Sequence, residues 1–202
     1  LRGGSFIDLP DWIKNKKAVI NPKNDDNECF KWSIICSLNK GVKDLQRLSK
    51  LKKIENTMDY LAFDKLTYPY ECTSTSIKRA ENVLDLSISV FDVQGKTICP
   101  LFTSRKQAVD DKCIDLLLLW DPNTNKKHYC SIKDLSKLLG SQINTHKEKK
   151  HICRFCLHGF QKKETLEKHL ENGCAAVSEQ RVEMPVKGEN DVLKFKNFPN
   201  KF

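Results

Sequence analysis

Cys153-Arg-Phe-Cys156, twelve residues to His169 and four more to Cys174 form the spacing that most narrows what this chain can fold into. Two thiols separated by two residues make a tight knuckle that offers both sulfurs to one ion, and a helix supplies the second pair. Phe160 and Leu166 fall where such a module needs its small apolar core, and Glu164 to Leu170 is the helix that would present His169. Four N/S ligands with no vacancy make a structural tetrahedral site for Zn2+, and binding of the metal drives folding of the module. The pattern predicts a small ββα zinc finger of the C2HC type over residues 150–176, with His158 a spare and His151 off the pattern.

The flanking residues are basic. Lys147, Lys149, Lys150, Arg154, Lys162, Lys163 and Lys168 surround the knuckle, and the whole chain carries a formal charge of +9 over 202 residues. Such a surface suits an anionic partner, DNA phosphates or an acidic protein face, without choosing between them. One finger covers only about 3 base pairs, too few for sequence-specific reading. The longest apolar run, Ile114 to Trp120, is interrupted by Asp115, so no membrane span is expected. The first residues lack the apolar core of a secretory signal, and nine cysteines then read as reduced thiols of an intracellular protein, cytoplasmic or nuclear. Six of them lie outside the metal pattern, mostly among apolar neighbours, and read as core filler.

Cys29 is the exception. It stands where the polar run Asn24 to Glu28 gives way to an apolar helix with Phe30, Ile34, Ile35 and Leu38 at helical spacing. Asp26 or Asn27 is the expected N-cap, and Gly41 the expected C-cap. A thiol there has its thiolate favoured by the helix dipole, and the free amides can hold a developing oxyanion, with Asp26 and Asn27 in support. Cysteine proteases need this geometry.

The rest of the chain supplies a sheet. Lys16 to Asn21 reads as a short strand stopped by Pro22, and Leu45 to Ile54 as a second, basic amphipathic helix. Ser76 to Leu84 reads as a helix capped by Ser76. Ser87 to Val93 and Thr97 to Phe102 form a hairpin around Gln94-Gly95. Cys113 to Trp120 is apolar enough to be central, and after the turn Asp121 to Asn125 the strand His128 to Ile132 returns. Asp134 then caps a last helix, Leu135 to Leu139. The predicted class is α+β with a papain-like layout, a cysteine-bearing helix packed on a twisted antiparallel sheet, over residues 6–145. Residues 1–5 are expected to be a flexible start and residues 177–202 a linker or edge segment.

His128 begins a late strand, in position to take the thiol proton and later protonate a leaving amine. A third group must orient its ring. Asp134 is preferred, with Asp121 and Asn125 as alternatives.

Asp26-Asn-Glu-Cys29-Phe-Lys-Trp-Ser33 resembles the nucleophile motif of ovarian-tumour-type deubiquitinases, with an aspartate three before the cysteine and a serine four after it. The usual Gly-Asn before the cysteine is Asn27-Glu28 here. His128-Tyr129 resembles the His-Tyr pair at the general base of several deubiquitinase families. Herpesvirus-tegument-like proteases are similar too, but they orient the histidine with an aspartate two residues earlier, where this chain has Lys126. Leu1-Arg-Gly-Gly4 is identical to the tail of ubiquitin, which makes Gly4-Ser5 an expected self-processing point. More broadly, Phe6-Ile-Asp-Leu-Pro10, Lys16 to Pro22, Asp26 to Trp32, His128-Tyr-Cys130 and Asp134 to Leu139 look like reading frames of Polinton (Maverick) DNA transposons. There such a region precedes or belongs to a protein-primed family B DNA polymerase, of which these residues carry no motif.

Two functions follow as expectations. One is a cysteine protease that removes ubiquitin or a ubiquitin-like modifier after Gly-Gly. The other is a non-catalytic, zinc-finger, nucleic-acid-binding accessory region of a transposon DNA polymerase. An enzyme needs Cys29 and His128 within reach of each other, and a binding module does not.

Overall fold

The computed structural model describes residues 2–3, 6–106, 110–143, 148–174 and 176. Gly4-Ser5, Lys147 and the segment 177–202 lie outside them. The fold is mixed α+β. In chain order the elements are β1 (Arg2–Gly3), α1 (Asp11–Lys14), β2 (Val19–Ile20), α2 (Cys29–Leu38), α3 (Leu48–Glu55), β3 (Tyr70–Glu71), α4 (Ser74–Leu84), β4 (Ser87–Gln94), β5 (Thr97–Phe102), β6 (Cys113–Asp121), β7 (Lys126–Ile132), α5 (Leu135–Ile143), β8 (His151–Ile152), β9 (Gly159–Phe160) and α6 (Lys163–Glu171).

Five strands form the main sheet in the order β2-β7-β6-β4-β5. The run read as a central strand, β6, is the middle one. The sheet is not wholly antiparallel as expected, because β4 and β6 pair in parallel from Ser87 opposite Cys113 to Asp92 opposite Leu118. The physical reason is the hairpin: β5 folds back on β4, so the chain leaves it near the start of β4 and lays β6 down in the same direction on the other side.

Both faces of this sheet are covered. Leu116, Leu118, Ile88, Val90 and Tyr129 face a core built on α2, α3 and α4. Leu117, Leu119, Phe91, Cys130 and Ile132 face a second core with Ile13 of α1 and Leu138 and Leu139 of α5. Alternate residues of one strand therefore serve two cores, which is why β6 reads as continuous apolar sequence rather than as an alternation.

Local chemistry moves several expected boundaries. The N-cap of α2 is Glu28, with no side-chain cap, and neither Asp26 nor Asn27 takes that place. Its C-cap is Asn39, ahead of Gly41. Thr73 rather than Ser76 caps α4, its hydroxyl accepting the Ser76 amide at 3.1 Å. Asp134 caps α5 as expected, accepting the Lys137 amide at 2.9 Å. The start of the chain was expected to be flexible throughout, yet Arg2 and Gly3 pair with Glu71 and Tyr70 as a short antiparallel ladder.

The C-terminal unit has the element order β8, β9, α6 and joins the main body through an ion pair. Arg154 Nε and Nη2 donate to Asp115 Oδ1 and Oδ2 at 2.6 and 3.0 Å. Asp115 is buried. The polar residue that interrupts the apolar run is thus the anchor for the second unit. Among the described residues no helix is long and apolar enough to cross a membrane.

Asp115→Ala leaves Arg154 without its carboxylate partner. It is expected to cost about 2 kcal/mol of stability, less than a fully buried pair because Arg154 is part-exposed. Urea denaturation of the variant beside the unaltered chain measures it.

Candidate functional site

α2 brings Cys29 to the sheet. Every residue from Cys29 to Ser37 is buried. Ser33 Oγ donates to the Tyr129 carbonyl at 2.8 Å, and the Tyr129 amide lies 3.5 Å from Cys29 Sγ. One helical turn separates Cys29 from Ser33, so the two side chains satisfy both backbone polar groups of one strand residue. They act where β2, only two residues long, has already stopped pairing with β7. Ser37 adds a hydroxyl contact to Ser131 at 2.7 Å.

The loop before Cys29 is held by Asp26. Its carboxylate accepts the Glu28 amide at 2.9 Å, the Trp32 indole N–H at 3.0 Å and the Asn24 side-chain amide at 3.0 Å. Asp26 therefore shapes the turn that precedes Cys29. Asn27 is exposed, with no hydrogen bond of its side chain to the site.

His128 is the residue before Tyr129, fully buried, with Phe6 edge-on to its ring at 5.6 Å between centroids. Its partner is Asn21, a residue the sequence reading took only as the end of a strand. The Asn21 side-chain amide donates to the Ile7 carbonyl at 2.9 Å. That contact turns Asn21 Oδ1 toward β7, where it accepts from His128 Nε2 at 2.7 Å and from Cys130 Sγ at 3.3 Å. The hydrogen on His128 is thereby assigned to Nε2, and Nδ1 keeps its lone pair. Nδ1 is buried and has no hydrogen-bond partner among the described residues.

Asp134, the preferred orienting residue, spends its carboxylate on the cap of α5. Asp121 binds the Asn123 amide and the Thr124 hydroxyl within its own turn. Asn125 accepts the Trp120 indole at 3.3 Å. None of the three is paired with His128. Asn21 lies 107 positions away in sequence, and only the pairing of Ile20 with Ser131 carries it there. A polar residue ending a strand just before a proline is the faint signal that could have drawn attention to it.

Cys29 and His128 are not joined by a hydrogen bond, Cys29 Sγ meeting the Tyr129 amide and His128 Nε2 meeting Asn21. Burial pushes the Cys29 thiol up to about 12, against the pull of the Tyr129 and Phe30 amides. Burial also pushes the His128 imidazole down to about 4, with the Pro22 backbone acting weakly the other way. Both groups are therefore neutral at pH 7.

The second site is a cluster. The ligand atoms of Cys153, Cys156, His169 and Cys174 lie within 4.8 Å of one another. Cys153 Sγ and Cys174 Sγ are 3.9 Å apart, and Cys156 Sγ and His169 Nε2 are 3.5 Å apart. A tetrahedral ion with zinc-length bonds would set these separations at about 3.8 and 3.6 Å. The donor set therefore fits such an ion. The Cys153 amide donates to the His158 carbonyl and the Leu157 amide to the Cys153 carbonyl, closing the knuckle. Phe160 packs on the His169 ring at 4.9 Å between centroids. Of the basic residues around it, Arg154 is committed to Asp115 and Lys150 to Glu148.

No protein-family model, curated protein or solved structure matches this chain.

Two outcomes follow. The folded pKa of His128 lies below its unfolded value, so its contribution to stability is present above about pH 6.5 and is lost as pH falls toward about 4, up to about 3 kcal/mol. The melting temperature should fall over that window, and less so in His128→Phe. The purified chain should carry one tetrahedrally bound metal ion, lost in Cys156→Ala and His169→Ala and measured by elemental mass spectrometry.

Proposed function

We propose that residues 6–145 form a papain-like cysteine protease that removes ubiquitin or a ubiquitin-like modifier after Gly-Gly, and that residues 150–176 are its structural zinc finger. The observation that carries this reading is the tautomer of His128. Asn21 holds the Nε2–H, which leaves a buried, unpartnered Nδ1 lone pair on the residue next to the amide that touches Cys29 Sγ. A cysteine protease needs a base in this state, oriented from behind by a third group. Catalytic hydrogen bonds are often long before substrate binds, so the missing Cys29–His128 bond is in keeping with a resting site.

In this mechanism His128 Nδ1 takes the proton of Cys29. The thiolate attacks the carbonyl carbon of the terminal glycine, and amides at the start of α2 hold the oxyanion. The C–N bond breaks as His128 returns the proton to the leaving amine. Water, deprotonated by the same imidazole, then cleaves the thioester and restores the thiol. Asn21 orients the ring throughout, in the role first assigned to Asp134. The sequence resemblance supports a setting in a Polinton-type transposon.

A second reading keeps a specific observation. Lys162, Lys163 and Lys168 are all exposed on or beside α6, which suits contact with nucleic-acid phosphates. It extends the first reading, with the finger bringing a protease to DNA, or stands alone as a polymerase accessory.

A ubiquitin probe with a C-terminal electrophile should form an adduct with the chain and none with Cys29→Ala. His128→Ala should lower kcat/KM by about 10²- to 10⁴-fold. Asn21→Ala should lower kcat by at least about 10-fold with little change in KM, while Asp134→Ala leaves kcat unaltered. A lack of adduct with every ubiquitin-like probe removes the protease reading and leaves the accessory one.

A further inference from the structure

β1 sits at the protease site. Arg2 and Gly3 pair with Glu71 and Tyr70 of β3. β3 is fixed at the head of α2, because the Tyr70 ring stacks on Phe30, the residue after Cys29, at 4.2 Å between centroids. Phe30 meets the Tyr129 ring edge-on at 5.0 Å. β1 also lies against β7. The strand thus occupies a slot whose two walls, β3 and β7, are tied together through the nucleophile helix.

The direction of the strand matters. From Gly3 the chain reaches Phe6, whose ring stands on His128. Gly3, the later residue of β1, is the one paired with Tyr70, whose ring stacks on Phe30 beside Cys29, so β1 runs N to C toward the head of α2. A tail to be cut after its last glycine must enter with this polarity. The strand's own sequence, Arg2-Gly3, comes from the stretch identical to the ubiquitin tail.

Added-strand binding explains the chemistry. An extended peptide that joins a short exposed strand gains main-chain hydrogen bonds without needing side chains, which suits a glycine-rich tail. Occupation in cis has a strong advantage, since a tethered segment competes at an effective concentration on the order of millimolar.

We propose that Tyr70–Glu71 is the docking strand for the Gly-Gly tail of the substrate, and that the chain's own Arg2–Gly3 holds that strand in cis as a resident competitor. The inference rests on the protease reading. It makes the closed state, with Cys29 and His128 both buried, a latent form for tails arriving in trans.

The test uses the full chain in a Cys29→Ala background, so that nothing is cleaved, and a fluorescent Leu-Arg-Gly-Gly peptide as probe. Binding is measured by anisotropy for the full chain, for a chain lacking residues 1–5, and for Gly3→Pro, which removes an amide from β1 and keeps the length. Both altered chains should bind the peptide at least about 10-fold more tightly than the full chain. In the active background the same two changes should lower KM for Arg-Gly-Gly-aminomethylcoumarin and leave kcat alone. Equal peptide affinity in all three chains, or no binding in any, overturns the inference. An electrophilic ubiquitin probe separates the two failures. An adduct at Cys29 under those results leaves the protease reading standing, and its absence removes both.

Discussion

Tyr129 is bonded to α2 through both of its backbone polar groups, and the site depends on that arrangement. A strand whose neighbour ends early leaves its amide and carbonyl without a ladder, and burying them unpaired would cost free energy. Here Cys29 and Ser33, one helical turn apart, meet them. The bond from Ser33 fixes the helix along the strand. Once it is fixed, the thiol sits beside the residue that follows His128. The position of α2 is thus tied to strand satisfaction rather than to a cap: the helix begins at Cys29, and its N-cap residue, Glu28, makes no side-chain cap hydrogen bond.

Polar groups elsewhere divide into those that orient and those that anchor. Asn21 orients: its amide is spent on Ile7, so its oxygen has one direction left, toward His128 and Cys130. Asp26 orients the loop before the thiol through three donors. Asp115 and Arg154 anchor the C-terminal unit to the sheet. Each is a buried or half-buried group whose partners are complete. Three buried side-chain atoms stand out against them as lacking a hydrogen-bond partner among the described residues: Asn24 Oδ1, His128 Nδ1 and the Tyr129 hydroxyl.

The two sites differ in how they meet solvent. At the metal cluster burial raises the Cys153 thiol to about 11, and a bound cation would draw that proton off. At Cys29 burial likewise raises the thiol, to about 12, and the thiol stays protonated.

Much was legible in the sequence because it is local. The Cys153, Cys156, His169 and Cys174 set follows from spacing along a knuckle and a helix, and the structure gathers all four. β6, β7, α2 and the caps at Asp134 follow from periodicity and turn chemistry within a few residues. What tertiary structure alone decided is whatever crosses the chain. The parallel pairing of β4 with β6 follows from where a hairpin leaves the sheet. The choice of Asn21 over Asp134 follows from a two-residue strand pairing with β7, and the placement of Arg2–Gly3 from a ladder with residues nearly seventy positions on. Sequence spacing records which groups are neighbours along the backbone. A strand register depends on the packing of every layer at once, and no short window of residues contains it.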